Sequence, residues 1–161
     1  MPTFMTPDEI LPAVTPDLLR EVRALFKEYA SSLGIDLSFQ DLAHEIEGLP
    51  GAYAAPDGAL LVAKVQGKVA GCVGVCRFAG DVCEMKRLFV RHSFRNRGVG
   101  RRLAVASLDE ARALGFRVMR LDTVPWMREA LALYRSLGFV EIPPYRFSPV
   151  AGAVFLEREL G

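Results

Sequence analysis

Histidine, cysteine and tryptophan are scarce in this chain, at two, three and one copies in 161 residues. Cys72, Cys76 and Cys83 have no CxxC spacing and no flanking histidine, which argues against a zinc or iron–sulfur centre, and no metal is expected. Their odd number and apolar, strand-like surroundings read as buried free thiols. There is no basic segment followed by an apolar core near Met1, so no signal peptide is expected. No run approaches the roughly 18 apolar residues of a membrane span. A reduced, cytoplasmic protein is the resulting expectation. Neither sign of charge dominates: 20 basic and 19 acidic residues leave a net charge of +1. That removes a global pull toward nucleic acid or anionic lipid, and neither partner is expected. No Gly-Lys-Ser/Thr follows a glycine loop, so a P-loop is excluded, and without the G-x-G-x-x-G spacing the chain is a poor match to a dinucleotide fingerprint.

What the chain does have is an ordinary globular composition, 51% hydrophobic and 24% charged, long enough for one domain with a real core over residues 1–161. Residues 1–14 read as a Pro-rich lead-in. Thr15-Pro16 predicts a helix start, and Leu18, Leu19, Val22, Leu25, Phe26, Tyr29 and Leu33 recur at helical spacing up to Gly34. Ser38 predicts the cap of a second helix through Leu42, Ile46 and Leu49. Ala59–Val65 and Val69–Phe78 flank the turn Gln66-Gly67-Lys68, which predicts an antiparallel hairpin. Val82–Val90 reads as a third strand. Strand and helix then alternate: a helix over 98–114, a strand over 116–124, a helix over 127–137, and short strands over 139–142 and 153–160. The expected architecture is an α/β mixed sheet, antiparallel early and partly parallel later, with helices on both faces.

The most informative stretch is Arg95-Asn96-Arg97-Gly98-Val99-Gly100. It joins the apolar run Leu88-Phe89-Val90 to the helix beginning near Arg101. A strand, a glycine turn and a helix in that order aim several N–H groups and the positive end of a helix dipole at one point. A phosphate or diphosphate is the natural occupant of that point. Lys86, Arg87, Arg91, Arg95, Arg97, Arg101 and Arg102 place seven of the 20 basic residues in 17 positions without an acid. Such local excess suits a compact polyanion.

This second half resembles the GCN5-related N-acetyltransferase (GNAT) superfamily. Residues Arg95–Gly100 match its diphosphate signature, Gln/Arg-x-x-Gly-x-Gly/Ala. Ala130-Leu131-Ala132-Leu133-Tyr134-Arg135-Ser136-Leu137-Gly138-Phe139 matches a second hallmark, Ala-x-x-Leu-Tyr-x-x-x-Gly-Phe. The resemblance implies the acyl-CoA N-acyltransferase fold, a mostly antiparallel twisted sheet with one splayed parallel strand pair. It also implies acetyl-CoA as acetyl donor, bound by a strand–loop–helix unit over 82–115. The pantetheine arm would run along Leu88, Phe89 and Val90, and the diphosphate would meet Arg95, Asn96, Arg97, Gly98, Val99, Gly100, Arg101 and Arg102. Two departures stand out. Met127 occupies a position where the family often has a coenzyme-contacting Asn, and His92 stands where it often has Pro; His92 reads as a solvent-side loop residue.

Acyl transfer to an amine needs a neutral nucleophile, a stabilised oxyanion and a protonated leaving thiolate. The resemblance makes Tyr134 the candidate general acid and Glu84, eleven residues before Arg95, the candidate base, with water as the alternative. Simple strand alternation puts Glu84, Lys86 and Leu88 on one face. The oxyanion donor would be a main-chain N–H near Leu88 or Phe89. For the acceptor, Tyr29, His44, Tyr53, Trp126, Tyr145 and Arg146 are candidates, and Arg146 could pair with a substrate carboxylate. The expected activity is transfer of acetyl to a primary amine of a small molecule or peptide. The alternative is a non-catalytic acetyl-CoA sensor or partner-binding module. A homodimer is left open.

Overall fold

A computed structural model describes residues 8–34 and 41–161; the Ser38 cap lies outside the described residues. Strand β1 (Glu9–Pro12) leads to helix α1 (Pro16–Leu33) and the short helix α2 (Leu42–Glu47). Strands β2 (Ala59–Val65), β3 (Lys68–Ala79) and β4 (Val82–Val90) follow. Helix α3 (Val99–Ala113), strand β5 (Val118–Thr123), helix α4 (Arg128–Ser136) and strands β6 (Val140–Ile142) and β7 (Val154–Glu159) complete the order.

Local chemistry accounts for most of these boundaries. The Thr15 hydroxyl accepts the Leu18 N–H at 3.2 Å, and Pro16 fills the first helical turn of α1, where no partner for an N–H is needed. Gly34 ends that helix in the left-handed region. Gln66 and Gly67 both have positive φ, 52° and 78°, the two-residue turn that matches the twist of a β2–β3 hairpin.

β1 is the element that the lead-in concealed. It pairs antiparallel with β2, from Glu9 opposite Lys64 to Pro12 opposite Leu61. Only four residues long and ending in proline, it carries too little periodicity to register, and its position at the sheet edge is where a proline is tolerated. Its presence makes Val82–Val90 the fourth strand rather than the third.

The sheet order is β1-β2-β3-β4-β5-β7-β6, and only β4 and β5 run parallel. One buried cluster joins Cys83, Met85, Met119, Leu121 and Leu156 to α3 and α4 through Leu103, Leu108 and Leu131. A second, on the opposite face, joins Val62, Cys72 and Phe89 to Val22, Leu25 and Phe26 of α1. The helices therefore cover both faces, as the mixed-sheet reading expects.

Two irregularities in β4 shape everything that follows. Its ladder with β5 has three rungs, Val82–Val118, Cys83–Met119 and Glu84–Arg120, after which the strands part. Further along, Gly74 pairs with Lys86 but Cys72 pairs with Phe89, so Arg87 and Leu88 together oppose Val73. Arg87 takes φ 61° at this bulge. The extra residue corrects the simple alternation. Leu88 and Val90 pack with the Cys83 and Met85 cluster, while Phe89 joins the other face.

β3 accepts this bend because Gly71 lies opposite Val90: a Cβ there would come within 2.4 Å of the Phe89 carbonyl oxygen. A backbone atom cannot step aside like a side chain. Gly71→Ala is expected to destabilise the protein by about 1–3 kcal/mol, read as a lowered midpoint in thermal or urea unfolding.

Candidate active site

Beyond the last β4–β5 rung the strands enclose a cleft of about 610 Å³, reaching from the C-terminal end of α1 to the start of α3. Its three regions follow from three different local causes.

At one end stands the N-terminus of α3. The Arg102 N–H is the first to find a carbonyl within the helix, that of Gly98 at 3.1 Å. The N–H groups of Val99, Gly100 and Arg101 thus precede the first helical acceptor, and no side chain caps them. Thr15 closes the same position in α1; here glycine leaves it open. Asn96 and Gly98 both have positive φ, 64° and 76°, and among the described residues nothing beyond the adjoining backbone lies within 4 Å of where a Gly98 side chain would begin. Asn96, Gly98, Val99 and Gly100 all line the cleft. The result is a concavity of outward-directed amides at the positive end of a helix, suited to a diphosphate.

The arginines divide. Arg95 lines the cleft, donating from Nε to the Val90 carbonyl at 3.0 Å and lying over the Phe89 ring. Arg97, Arg101 and Arg102 are not among the lining residues. Arg97 stacks on Phe94, Arg101 donates to Ser136 Oγ at 2.9 Å, and Arg102 pairs with Asp8 at 3.4 Å. The geometry gives these last two arginines work within the fold, tying α3 to α4 and to the segment before β1. His92 is exposed in the turn after β4, as read from its neighbours.

In the middle, Leu88, Phe89 and Val90 line one wall and Tyr134 the other. Tyr134 comes from α4, is only 7% exposed, and meets Phe139 edge-to-face at 5.9 Å. Burial, with smaller contributions from Tyr29 and Asp122, pushes its hydroxyl well above the ordinary phenol range. It is therefore a neutral donor across the physiological range. Met127 precedes α4 without capping it and also faces the cleft.

The far end holds Tyr29, Lys86, Asp122, Thr123, Trp126 and Ser148. Tyr29 and Trp126, two of the acceptor candidates, line the cleft. Glu84 does not. It is 4% exposed, lies on the last paired rung, and is not among the lining residues. Its Oε2 accepts from the Tyr145 hydroxyl at 2.9 Å and pairs with the Arg146 guanidinium. The pairing of β4 with β5 continues through residue 84, which carries Glu84 below the point where the strands open. Tyr145 and Arg146 are likewise absent from the lining; they anchor the β6–β7 connection on Glu84. His44 is exposed beside Asp41, and Tyr53 is buried against Phe26 and Gly74.

Asp122 is the residue that sequence reasoning passed over. Its side chain is 16% exposed, and its nearest ion partner, Arg146 Nη1, is 4.0 Å away. Burial raises its pKa above the usual carboxylate range, and Arg146 partly opposes that. The signal was a carboxylate inside an apolar strand, Val118–Thr123, where a charge is costly without a purpose.

A family model described as "Acetyltransferase (GNAT) family" matches residues 19–139. An uncharacterized N-acetyltransferase of Schizosaccharomyces pombe is 35% identical over 147 residues, covering 90% of each chain. An acetyltransferase of the GNAT family from Staphylococcus aureus superposes with a TM-score of 0.79 at 20% identity, covering 96% of this chain and 100% of its own. An acetyltransferase from Salmonella typhimurium, solved with its cofactor acetyl-CoA, superposes with a TM-score of 0.66 at 20% identity, covering 96% and 94%. The chain belongs to the GNAT acetyltransferase family. It is an acyltransferase, and the splayed β4–β5 pair is part of that shared fold. Among the described residues no helix is long and apolar enough to cross a membrane.

Proposed function

We infer that the protein moves the acetyl group of acetyl-CoA to a primary amine of a small molecule or peptide, by direct attack while both substrates are bound. The single observation that carries this reading is one continuous cleft with the uncapped amides of α3 at its mouth and a buried Tyr134 hydroxyl halfway along.

The residues fit the donor's chemistry. Amides of Val99, Gly100 and Arg101 would take the diphosphate, with Arg95 alongside. The β4 backbone from Leu88 to Val90 faces the opening with a free edge, suited to an extended amide-bearing arm. That course brings a thioester toward Tyr134, whose hydroxyl would protonate the departing thiolate. A main-chain N–H near Leu88 or Phe89 would steady the oxyanion. Beyond that point lies the polar end, with Tyr29, Lys86 and Asp122, where an acceptor would enter.

Incubation with acetyl-CoA and a panel of amines, alcohols and thiols, followed by free-thiol release and product mass, tests the reading. Acetylated amine with equimolar thiol is the expected result. Product on hydroxyl or thiol acceptors alone would overturn it, and tight coenzyme binding with no product from any acceptor would favour a sensor.

A further inference from the structure

We propose that the acceptor is an amine that also bears a carboxylate, an amino acid or a close derivative, held between Asp122 on β5 and Lys86 on β4. The proposal rests on the amine-acetylation reading above. Both residues line the cleft on opposite sides of the gap that opens after the Glu84–Arg120 rung. Of the other cations near this end, Arg87 and Arg146 are committed elsewhere, while Arg128 lines the cleft from the start of α4. Arg87 is buried and donates from Nε to Glu45 Oε2 at 2.9 Å, and Arg146 pairs with Glu84. Lys86 makes no ion pair among the described residues. Among the described residues the one ion contact of Asp122 is with Arg146, beyond hydrogen-bond reach, and Lys86 and Arg87 act on it at longer range. Lys86 on β4 and the weakly satisfied Asp122 on β5 thus face the same space from its two sides, the complement of a zwitterion.

The arrangement also gives the first proton a destination. Asp122 is surrounded by Glu84, Lys86 and Arg87 from β4, Arg146 and Tyr145 from the β6–β7 connection, Tyr134 from α4 and Tyr29 from α1. An incoming ammonium gives one proton to the Asp122 carboxylate, which passes it to water. The freed lone pair forms the C–N bond at the thioester carbon, and the C–S bond breaks. The thiolate takes the Tyr134 proton, and the second proton leaving nitrogen restores the phenol through water. One proton is released per turnover. Burial of Asp122 makes it a better base than a surface carboxylate. Glu84 becomes a positioning residue: through Arg146 it holds the connection whose Ser148, Val150 and Ala153 wall the same space.

The test compares matched acceptors with acetyl-CoA: free amino acids, their carboxamides and the corresponding decarboxylated amines. The wild-type protein is expected to favour the amino acid by at least about tenfold in kcat/KM, a difference of about 1.4 kcal/mol. Lys86→Met is expected to collapse that ratio toward one. Asp122→Asn is expected to lower kcat on both acceptors and to remove the acid limb of the rate profile, which falls as pH drops through the raised pKa of the carboxylate. Equal wild-type rates on amino acid and carboxamide overturn the proposal, and so does a ratio that survives Lys86→Met. An unchanged kcat in Asp122→Asn overturns its role as proton acceptor. Should either variant fail to fold, the wild-type ratio decides. Acetylation of amines without carboxylate preference would sink this inference alone; absence of product with every amine would sink the reading beneath it.

Discussion

Tyr134→Phe is expected to lower turnover by roughly a hundredfold or more, the usual worth of a positioned proton donor. Affinity for coenzyme A should hardly change. The substitution deletes one oxygen and leaves the ring, which supplies the edge-to-face contact with Phe139 and the packing beneath α4. Without the donor, the thiolate must leave as an anion, and the barrier rises. Because burial raises the hydroxyl's pKa, it remains protonated as pH climbs past neutrality. Loss of the donor should therefore depress rate across the whole neutral range rather than move an alkaline limb. Steady-state kinetics beside calorimetric titration with coenzyme A separate the two effects. Equal turnover in both proteins removes Tyr134 from the chemistry.

Gly98→Asp is expected to weaken coenzyme A binding at least tenfold, about 1.4 kcal/mol. Two causes act together. Gly98 has φ 76°, a conformation in which any side chain is strained by roughly 1 kcal/mol or more. An aspartate there would also turn its carboxylate onto the first amides of α3, occupying the donors meant for the diphosphate and repelling its charge. Gly98→Ala separates the terms, since it brings the strain without the charge, and among the described residues nothing beyond the adjoining backbone lies within 4 Å to oppose its methyl group. The alanine variant should lose less affinity than the aspartate. Unchanged affinity in the aspartate variant would place the coenzyme somewhere else.

Legibility followed the range of the interactions involved. The helix α3, its glycine turn and the β2–β3 hairpin rest on neighbours in the chain, so residues 66–68 and 95–114 announced them. The place of Tyr134 on the cleft wall was legible because Leu133-Tyr134 and Gly138-Phe139 form a local pattern. Glu84 was placed wrongly relative to the cleft because a strand does not reveal where its neighbour leaves it. That depends on β5, 34 or more residues away, ceasing to pair after Arg120. Leu88 was assigned to the wrong face for a related reason: a bulge is set by the partner strand, here by Val73, and alternation cannot foresee it. Arg101 and Arg102 illustrate the same point for charge. A basic cluster is visible in the chain, but Ser136 and Asp8, which occupy two of its members, are remote.

The short ladder between β4 and β5 has a mechanical side. Three rungs are a narrow seam between the β1–β4 half of the sheet and the β5–β7 half. A molecule filling the space above that seam would brace both halves at once. Saturation a hundredfold above Kd stabilises a fold by about 2.7 kcal/mol, and here the gain should concentrate along one line. Amides of residues 85–90 and 121–124 would slow their hydrogen exchange together, as a zip fastener tightens when its open end is closed.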